Sequence, residues 1–304
     1  MTWFTRFGSV FLSALFLLGC DSPEPPTRTL NYSDQPAEHA AEIYRFAVHP
    51  LHNPRTLLEA YQPLINYLNA HFDDLKFELE ASRDYQAYET KLAKASPEFV
   101  LPNPWQTLQA MDTGYHVIAM AGDAEDFKGI FIVRKDSDIV QPMDLKGHTV
   151  TYPSHTALAA AIMPQYFLFE SGLDVTKDIK NIYVGSQESS IMNAYLGHSA
   201  AGATWPPPWR LFQKEHPEAA AELQVIWQTQ PLMNNSVMAR GDLPPGLVDR
   251  VQALLLNLHE TEQGPAILAA METARFHPAD DQSYQKVREY IQRFELDVRP
   301  VLQP

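Results

Sequence analysis

The sequence predicts an α/β protein with two lobes and a helical C-terminal tail. Short apolar segments alternate with segments of three- and four-residue apolar spacing from residue 44 to residue 240. The alternation falls into two blocks, 44–136 and 148–240, and residues 244–299 show helical patterns only. Strands that alternate with helices are typical of mainly parallel sheets, in which ligands bind where strands end and helices begin. The strand-to-helix turns are therefore the candidate sites.

The first block begins with an apolar strand at 44–49 and an amphipathic helix at 57–72. Pro63 inside that helix indicates a kink or a later start. A strand at 75–81, a helix at 84–94, a short strand at 98–104 and a helix at 104–114 follow. Strands at 115–122 and 129–136 complete the block.

The second block repeats the alternation. Strands are predicted at 148–153, 178–185 and 199–204, and helices at 155–172, 186–197 and 206–218. Strands at 223–229 and 235–240 close the block, and the tail is predicted to form three helices.

The N-terminal segment indicates export and lipid anchoring. Residues 1–19 have the features of a secretory leader, with an apolar run too short to cross a bilayer comfortably. Cys20, the only cysteine, follows Leu-Leu-Gly directly, and this resembles a bacterial lipobox whose cysteine is lipidated. The alternative is a chance cysteine after an uncleaved anchor helix. Residues 20–41 are polar and proline-rich and are expected to form a flexible tether. Asp21 resembles the signal that retains such lipoproteins at the inner membrane, so we expect the periplasmic side of that membrane.

Charge and motifs exclude several classes of function. The formal net charge is -14 and no basic run interleaves with aromatic residues, which argues against nucleic-acid binding. Phosphate-loop and dinucleotide fingerprints are absent, so no cofactor is expected. His49 and His52 lie three residues apart without a cysteine pair or nearby carboxylate, so no metal is expected. Only Asp84 and Glu188 place carboxylates in the candidate turns, so no enzymatic activity is expected.

The turns resemble one known family when they are taken in order. The segments FAVHPLHNPRTLLEAYQPLINYL, SRDYQAYETKLA and FVLPNPW are followed by VRKDSDIVQPMDLKGHTVTYPSHTA. This succession is similar to the PhnD-like solute-binding proteins of phosphate, phosphite and phosphonate ABC importers, over about residues 44–256. The resemblance implies a type II periplasmic-binding-protein fold with a ligand cleft between its lobes. It implies lobe 1 from 42–125, lobe 2 from 126–231, and a return to lobe 1 with C-terminal helices from 232–304.

The resemblance also implies a set of ligand-binding residues. Ser154, His155 and Thr156 match the family's oxyanion loop, in which Ser-Thr-Ser-Gly is usual. Hydroxyls beside the unpaired N–H groups of a helix start suit an anion, although the same residues also suit a plain helix cap. The other candidates are Tyr85, Asn103, Trp105, His52, Asn53, Gln187, Glu188 and Trp205. An acidic residue that can contact a ligand amino group is missing near Ala200, which argues against an aminoalkylphosphonate.

These features predict a monomeric solute-binding component of an ABC importer. It is expected to close on a small oxyanion or phosphonate-like ligand and then to meet a permease in the inner membrane. The alternative is a sensing module of the same clamp type that signals to a membrane histidine kinase or other receptor without transport. Both readings use the same residues, so the sequence leaves the choice open.

Overall fold

The structure, a computed structural model, describes residues 41–302. The predicted leader, Cys20 and the predicted tether up to residue 40 lie outside the described residues. The strands in chain order are β1 (Glu42–Val48), β2 (Leu75–Glu80), β3 (Phe99–Leu101), β4 (Tyr115–Ala121), β5 (Ile130–Arg134), β6 (Thr149–Tyr152), β7 (Lys180–Tyr183), β8 (Ala201–Thr204), β9 (Leu223–Gln228), β10 (Ser236–Arg240) and β11 (Phe276–His277).

The α-helices alternate with these strands and then form the tail. They are α1 (Pro54–Asn69), α2 (Tyr85–Ala93), α3 (Pro104–Met111), α4 (Met163–Glu170), α5 (Gln187–Tyr195), α6 (Pro206–Glu215), α7 (Pro217–Ala221), α8 (Pro245–Asn257), α9 (Gly264–Ala270) and α10 (Gln285–Asp297). The predicted two-block α/β fold with a helical tail is confirmed. The short strand β11 within the tail was not predicted.

Two separate sheets organise the chain. The first sheet has the strand order β11-β4-β10-β3-β1-β2, and the second has the order β7-β6-β8-β5-β9. The chain passes from the first sheet to the second between β4 and β5, and it returns between β9 and β10. We call each sheet with its covering helices the first lobe and the second lobe.

The prediction of mainly parallel sheets is wrong, because both sheets are mixed. In the first sheet β1 is parallel to β2 and β3, but β10 runs antiparallel to β3 and β4. In the second sheet β6 is parallel to β7 and β8, but β5 runs antiparallel to β8 and β9. The first strand after each passage between sheets, β5 or β10, is therefore antiparallel to the strands that alternate with helices in that sheet. Such strands follow from the path of the chain between lobes, which local periodicity does not encode.

The helix after β6 begins later than predicted. Residues 155–156 form a turn, a π-helix spans Leu158–Ile162, and α4 follows without a break. Pro164 lacks an N–H and cannot donate to the carbonyl of Ala160, so regular α-helical bonding is impaired at this point. The wider turn is marked by the N–H of Ile162, which donates to the carbonyl of Ala157 at 3.2 Å. As a result, Ser154, His155 and Thr156 lie before the helix and do not form its first turn.

Each lobe has an apolar interior. In the first lobe, Phe46 and Phe99 are buried and stacked with ring centroids 6.4 Å apart. In the second lobe, Trp209 stacks on Phe212 at 5.8 Å within a separate cluster. No helix within residues 41–302 combines the length and apolar character that a membrane span needs.

Candidate ligand-binding site

A small cavity lies where the two lobes meet at the ends of several strands. We call it the central cavity. The residues that line it are His49, Tyr85, Asn103, Phe127, Ala157, Leu158, Ala159, Ala160, Gln187, Trp205 and Asn235. The volume is about 10 Å³, roughly the space of one water molecule. The lobes are therefore closed on each other around this point.

Hydrogen bonds connect the lobes around the central cavity. The Gln187 side chain donates to the hydroxyl of Tyr85 at 3.2 Å and accepts from the hydroxyl of Thr204 at 2.8 Å. Asn103 caps α3 through its side-chain oxygen, and its amide nitrogen donates to the carbonyl of Thr156 at 3.2 Å. Helix caps of the first lobe thus also hold the turn of the second lobe. The Gln187–Tyr85 and Asn103–Thr156 bonds join the two lobes and are lost when the lobes separate, whereas the Gln187–Thr204 bond lies within the second lobe.

A second group of predicted residues lies beside the central cavity. His52, Asn53, Gln187 and Glu188 line a separate cavity of about 20 Å³ together with residues of α6. Asn53 accepts from the N–H of Thr56 as the cap of α1, and its amide lies 3.5 Å from the carboxylate of Glu188. Gln187 is the predicted residue that the two cavities share.

The predicted oxyanion loop does not line the central cavity. Ser154 and His155 lie instead on an open groove of about 460 Å³, with Asp84, Tyr85 and Glu89. We call this the outer groove. Thr156 is fully buried, and its hydroxyl lies 3.1 Å from that of Ser154. The displaced helix start explains this placement, because it brings Ala157–Ala160 to the central cavity in place of the hydroxyl residues.

The side chain of Glu89 accepts a hydrogen bond from one hydroxyl of this turn. Thr156 donates to Glu89 at 2.6 Å, and Gln106 donates to the same oxygen at 3.1 Å. Burial raises the pKa of Glu89 above its usual value, although these two hydrogen bonds oppose the rise. An ionised Glu89 would repel an anion at this turn. The Thr156 hydroxyl therefore already has an acceptor within the protein.

Two buried histidines follow β1. His49 Nδ1 lies 3.0 Å from the carbonyl of Leu101, so this nitrogen carries the proton of the neutral ring and Nε2 remains an acceptor. His52 is buried, and its Nε2 has no hydrogen-bond partner among the described residues. Burial lowers the pKa of each histidine to about 4, so both are uncharged at neutral pH.

Trp105 and Trp205 both belong to the buried core, but they differ in their contact with the central cavity. Trp205 lines the central cavity and packs against Phe127 with ring centroids 5.5 Å apart. Trp105 is 3% exposed and belongs to the hydrophobic core. Of the described residues that line the central cavity, Trp205 is the one tryptophan, so the candidate Trp105 is not part of this lining.

Several residues of these cavities were not predicted as ligand contacts. They are His49, Glu89, Phe127, Asn235 and the segment Ala157–Ala160. Glu89 lies one helical turn after Tyr85 in α2, and that spacing of four residues is the signal that indicates a shared helix face. The signal for Asn235 is the polar pair Asn234-Asn235, which directly precedes the apolar strand β10. Within residues 41–302, no group of three or more His, Cys, Asp or Glu side chains has an arrangement that could hold a metal ion.

This architecture, two mixed α/β sheets with polar cavities between them, defines a bilobed binding protein. A family model described as "ABC transporter, phosphonate, periplasmic substrate-binding protein" matches residues 46–284. The chain belongs to that family.

Known proteins agree with this assignment. A probable ABC transporter phosphite-binding protein, PhnD1 of Prochlorococcus marinus, is 26% identical over 186 residues, which are 57% of this chain and 63% of the relative. The match thus spans less than two thirds of the length of that relative.

Solved structures show the same fold. The structure of Prochlorococcus marinus PhnD1 in complex with methylphosphonate has a TM-score of 0.75 at 22% identity, covering 84% of this chain and 98% of that one. A binding-protein component of an ABC phosphonate transporter from Pseudomonas aeruginosa has a TM-score of 0.77 at 15% identity, covering 84% and 89%. The predicted type II periplasmic-binding-protein fold is therefore confirmed.

Proposed function

We propose that this protein is the solute-binding component of an ABC importer and that it closes on a small oxyanion or phosphonate-like ligand. The observation that carries the proposal is the central cavity, which draws its lining from both lobes within a member of this binding-protein family. A ligand there touches both lobes and stabilises the closed form by its greater affinity for that form. No bond is made or broken in this cycle.

The remaining features of the proposal concern location and partners. The protein works in the periplasm as a monomer, tethered by a lipid on Cys20, and its closed form meets an ABC permease. The proposed lobe boundaries, at residues 125 and 231, fall in the two segments in which the chain passes from one sheet to the other. Tyr85, Asn103, Gln187 and Trp205 are the predicted residues best placed to contact ligand, because all four line the central cavity. Ser154, His155, Thr156 and Trp105 lie elsewhere and act indirectly at most.

A thermal-shift screen tests this function. Phosphate, phosphite and alkylphosphonates are each added to the purified protein at millimolar concentration, and at least one is expected to raise the melting temperature. Titration calorimetry then gives the affinity of each compound that shifts it. If all three compound classes leave the melting temperature unchanged, the proposed ligand class is wrong.

A further inference from the structure

The lining of the central cavity contains no strong cation. None of its described residues is lysine or arginine, and the ring of His49 is neutral because it is buried. The nearby Arg210 is already paired with Asp126 and Glu272. A doubly charged ligand therefore has no opposite charge to offset its loss of hydration. A ligand with one charge loses much less hydration free energy when it enters the cavity.

Uncharged donors are nevertheless present on one wall. The N–H groups of Leu158, Ala159 and Ala160 open the helical segment that continues through α4, so they have no partner within the helix. Among the described residues, none of the three has another backbone or side-chain acceptor. Unpaired N–H groups at the start of a helical segment suit one anionic centre.

The opposite wall supplies an acceptor without a donor. Asn235 is 4% exposed, and its Oδ1 has no hydrogen-bond partner among the described residues. Its backbone is held independently, because its N–H donates to the side chain of Asn234 and its carbonyl accepts from Ala121. His49 Nε2 is a second acceptor on the same lining. Buried acceptors attract a ligand that carries an O–H or N–H, and a fully deprotonated oxyanion has none.

A carboxyl group lies behind the segment Leu158–Ala160, which we call the anion-binding wall. Glu89 accepts from Thr156, the residue immediately before the segment Ala157–Ala160. When Glu89 is ionised, it penalises each negative charge on the ligand, so a second charge on the ligand doubles the penalty. The donors, the unpartnered acceptor and this carboxylate therefore favour the same protonation state.

We propose that the central cavity selects the singly charged, still protonated form of an oxyacid. The anionic oxygens of the ligand lie at the N–H groups of Leu158, Ala159 and Ala160, and its remaining hydroxyl donates to Asn235 Oδ1. The inference rests on the proposed function, since it concerns the ligand of the same cavity. The closed cavity has room for about one water molecule, so the lobes must separate for the ligand to enter and must close less tightly around it than they do here.

The direct test is calorimetry of methylphosphonate below and above its second ionisation. Methanesulfonate, tested in parallel, has one charge and no hydroxyl at either pH. Above the ionisation, the protonated fraction falls about tenfold per pH unit, so the affinity for methylphosphonate is expected to fall by the same factor. Methanesulfonate is expected to bind more weakly than the methylphosphonate monoanion and to show no comparable pH dependence.

The outcomes separate this inference from the proposed function. Equal or tighter binding of methylphosphonate at the higher pH overturns the inference and leaves the proposed function intact. Methanesulfonate that binds as tightly as the monoanion also overturns it, because the hydroxyl then contributes nothing. The absence of binding at both pH values overturns both.

The methanesulfonate series also controls for titration of the protein. The titratable groups that face Asn235 across the central cavity and the cavity adjoining it are His49, Tyr61, Tyr85, Asp126 and Glu272. Any of these groups, or Glu89, would alter the binding of both ligands with pH. A pH effect confined to methylphosphonate therefore belongs to the ligand.

Asn235→Ala identifies the acceptor. Asn235 Oδ1 has no hydrogen-bond partner within residues 41–302, so its removal is expected to leave the fold intact. The variant is expected to lose about tenfold in affinity for the methylphosphonate monoanion, and its pH preference should flatten. The matched control is Asn193→Ala, whose amide donates to Ser189 within α5, away from the cavity. If Asn235→Ala keeps the affinity and pH preference of the unchanged protein, the assignment of the hydroxyl to Asn235 is refuted.

Discussion

A charged cluster between the lobes offers the sharpest test of how the closed form is held. Glu272 follows α9 in the first lobe, and its side chain is 9% exposed. Its carboxylate accepts from Arg210 Nε at 3.0 Å and also pairs with Lys214. Both cations lie on α6 of the second lobe. Arg210 additionally binds Asp126, at 2.9 Å for the closer pair of atoms. The cluster therefore ties the two lobes together.

The substitution Glu272→Gln keeps the size of the side chain and removes its charge. Breaking a buried ion pair costs about 3–5 kcal/mol, whereas an exposed pair contributes about 0–1 kcal/mol. Arg210 and Lys214 are 36% and 65% exposed, and Arg210 keeps Asp126 as a partner. We therefore expect an intermediate loss of about 1–2 kcal/mol in the free energy of unfolding.

Urea denaturation measures this loss, and Asp174→Asn is the matched control. Asp174 pairs with Lys177 at 2.7 Å, but the two side chains are 41% and 79% exposed. The control should therefore lose little stability. If the cluster holds the closed form, Glu272→Gln should also weaken ligand binding roughly 5- to 30-fold. A Glu272→Gln protein that is no less stable than the control, with unchanged affinity, would refute this account of the cluster.

Three further predictions concern individual side chains. Glu89→Gln removes the ionisable group behind the anion-binding wall and should strengthen binding of an anionic ligand by about 1 kcal/mol near neutral pH. Calorimetry measures this change. Unchanged affinity would show that the ligand does not interact with the charge of Glu89. Burial holds the pKa of His49 and His52 at about 4 instead of 6.5. Each histidine should therefore contribute about 3 kcal/mol to the free energy of unfolding above pH 6.5, and this contribution is lost as the pH falls toward 4. Urea denaturation at several pH values measures the loss, and His52→Gln should roughly halve it. Trp205→Ala should cost about 3–5 kcal/mol in the same assay because the ring is 5% exposed, and a loss below 1 kcal/mol would contradict its packing against Phe127.

The order of elements was predictable because it depends on local patterns. Apolar spacing identified nearly every strand and helix, and the segment DLKG followed by HTVTYPSHTA indicated the family. Asn53, Asp84 and Asn103 each cap the helix that follows them, as polar residues at such positions commonly do. These features involve residues a few positions apart, so the linear sequence contains the information needed to predict them.

The membership of the cavities was less predictable. The loop at Ser154–Thr156 was expected to meet the ligand, but the π-helix starts only at Leu158, and the Thr156 hydroxyl donates to Glu89. This shift depends on the bonding geometry near Pro164, which apolar periodicity does not show. Trp105 was expected in the cleft, but it packs into the core. Periodicity identifies apolar residues without stating which surface they cover.

The sequence alone therefore determined the fold class, the family and the turns at which a ligand site forms, because each is encoded by neighbouring residues. Only the tertiary structure decided which side chains share a cavity. His49, Gln187 and Asn235 are far apart in the chain, and they meet because β10 returns to the first sheet while the second lobe closes on it. The charge balance of the cavity follows from the same packing, since burial neutralises His49 and places Glu89 behind the turn. Long-range packing sets both properties, and these properties decide the protonation state of the ligand that we propose.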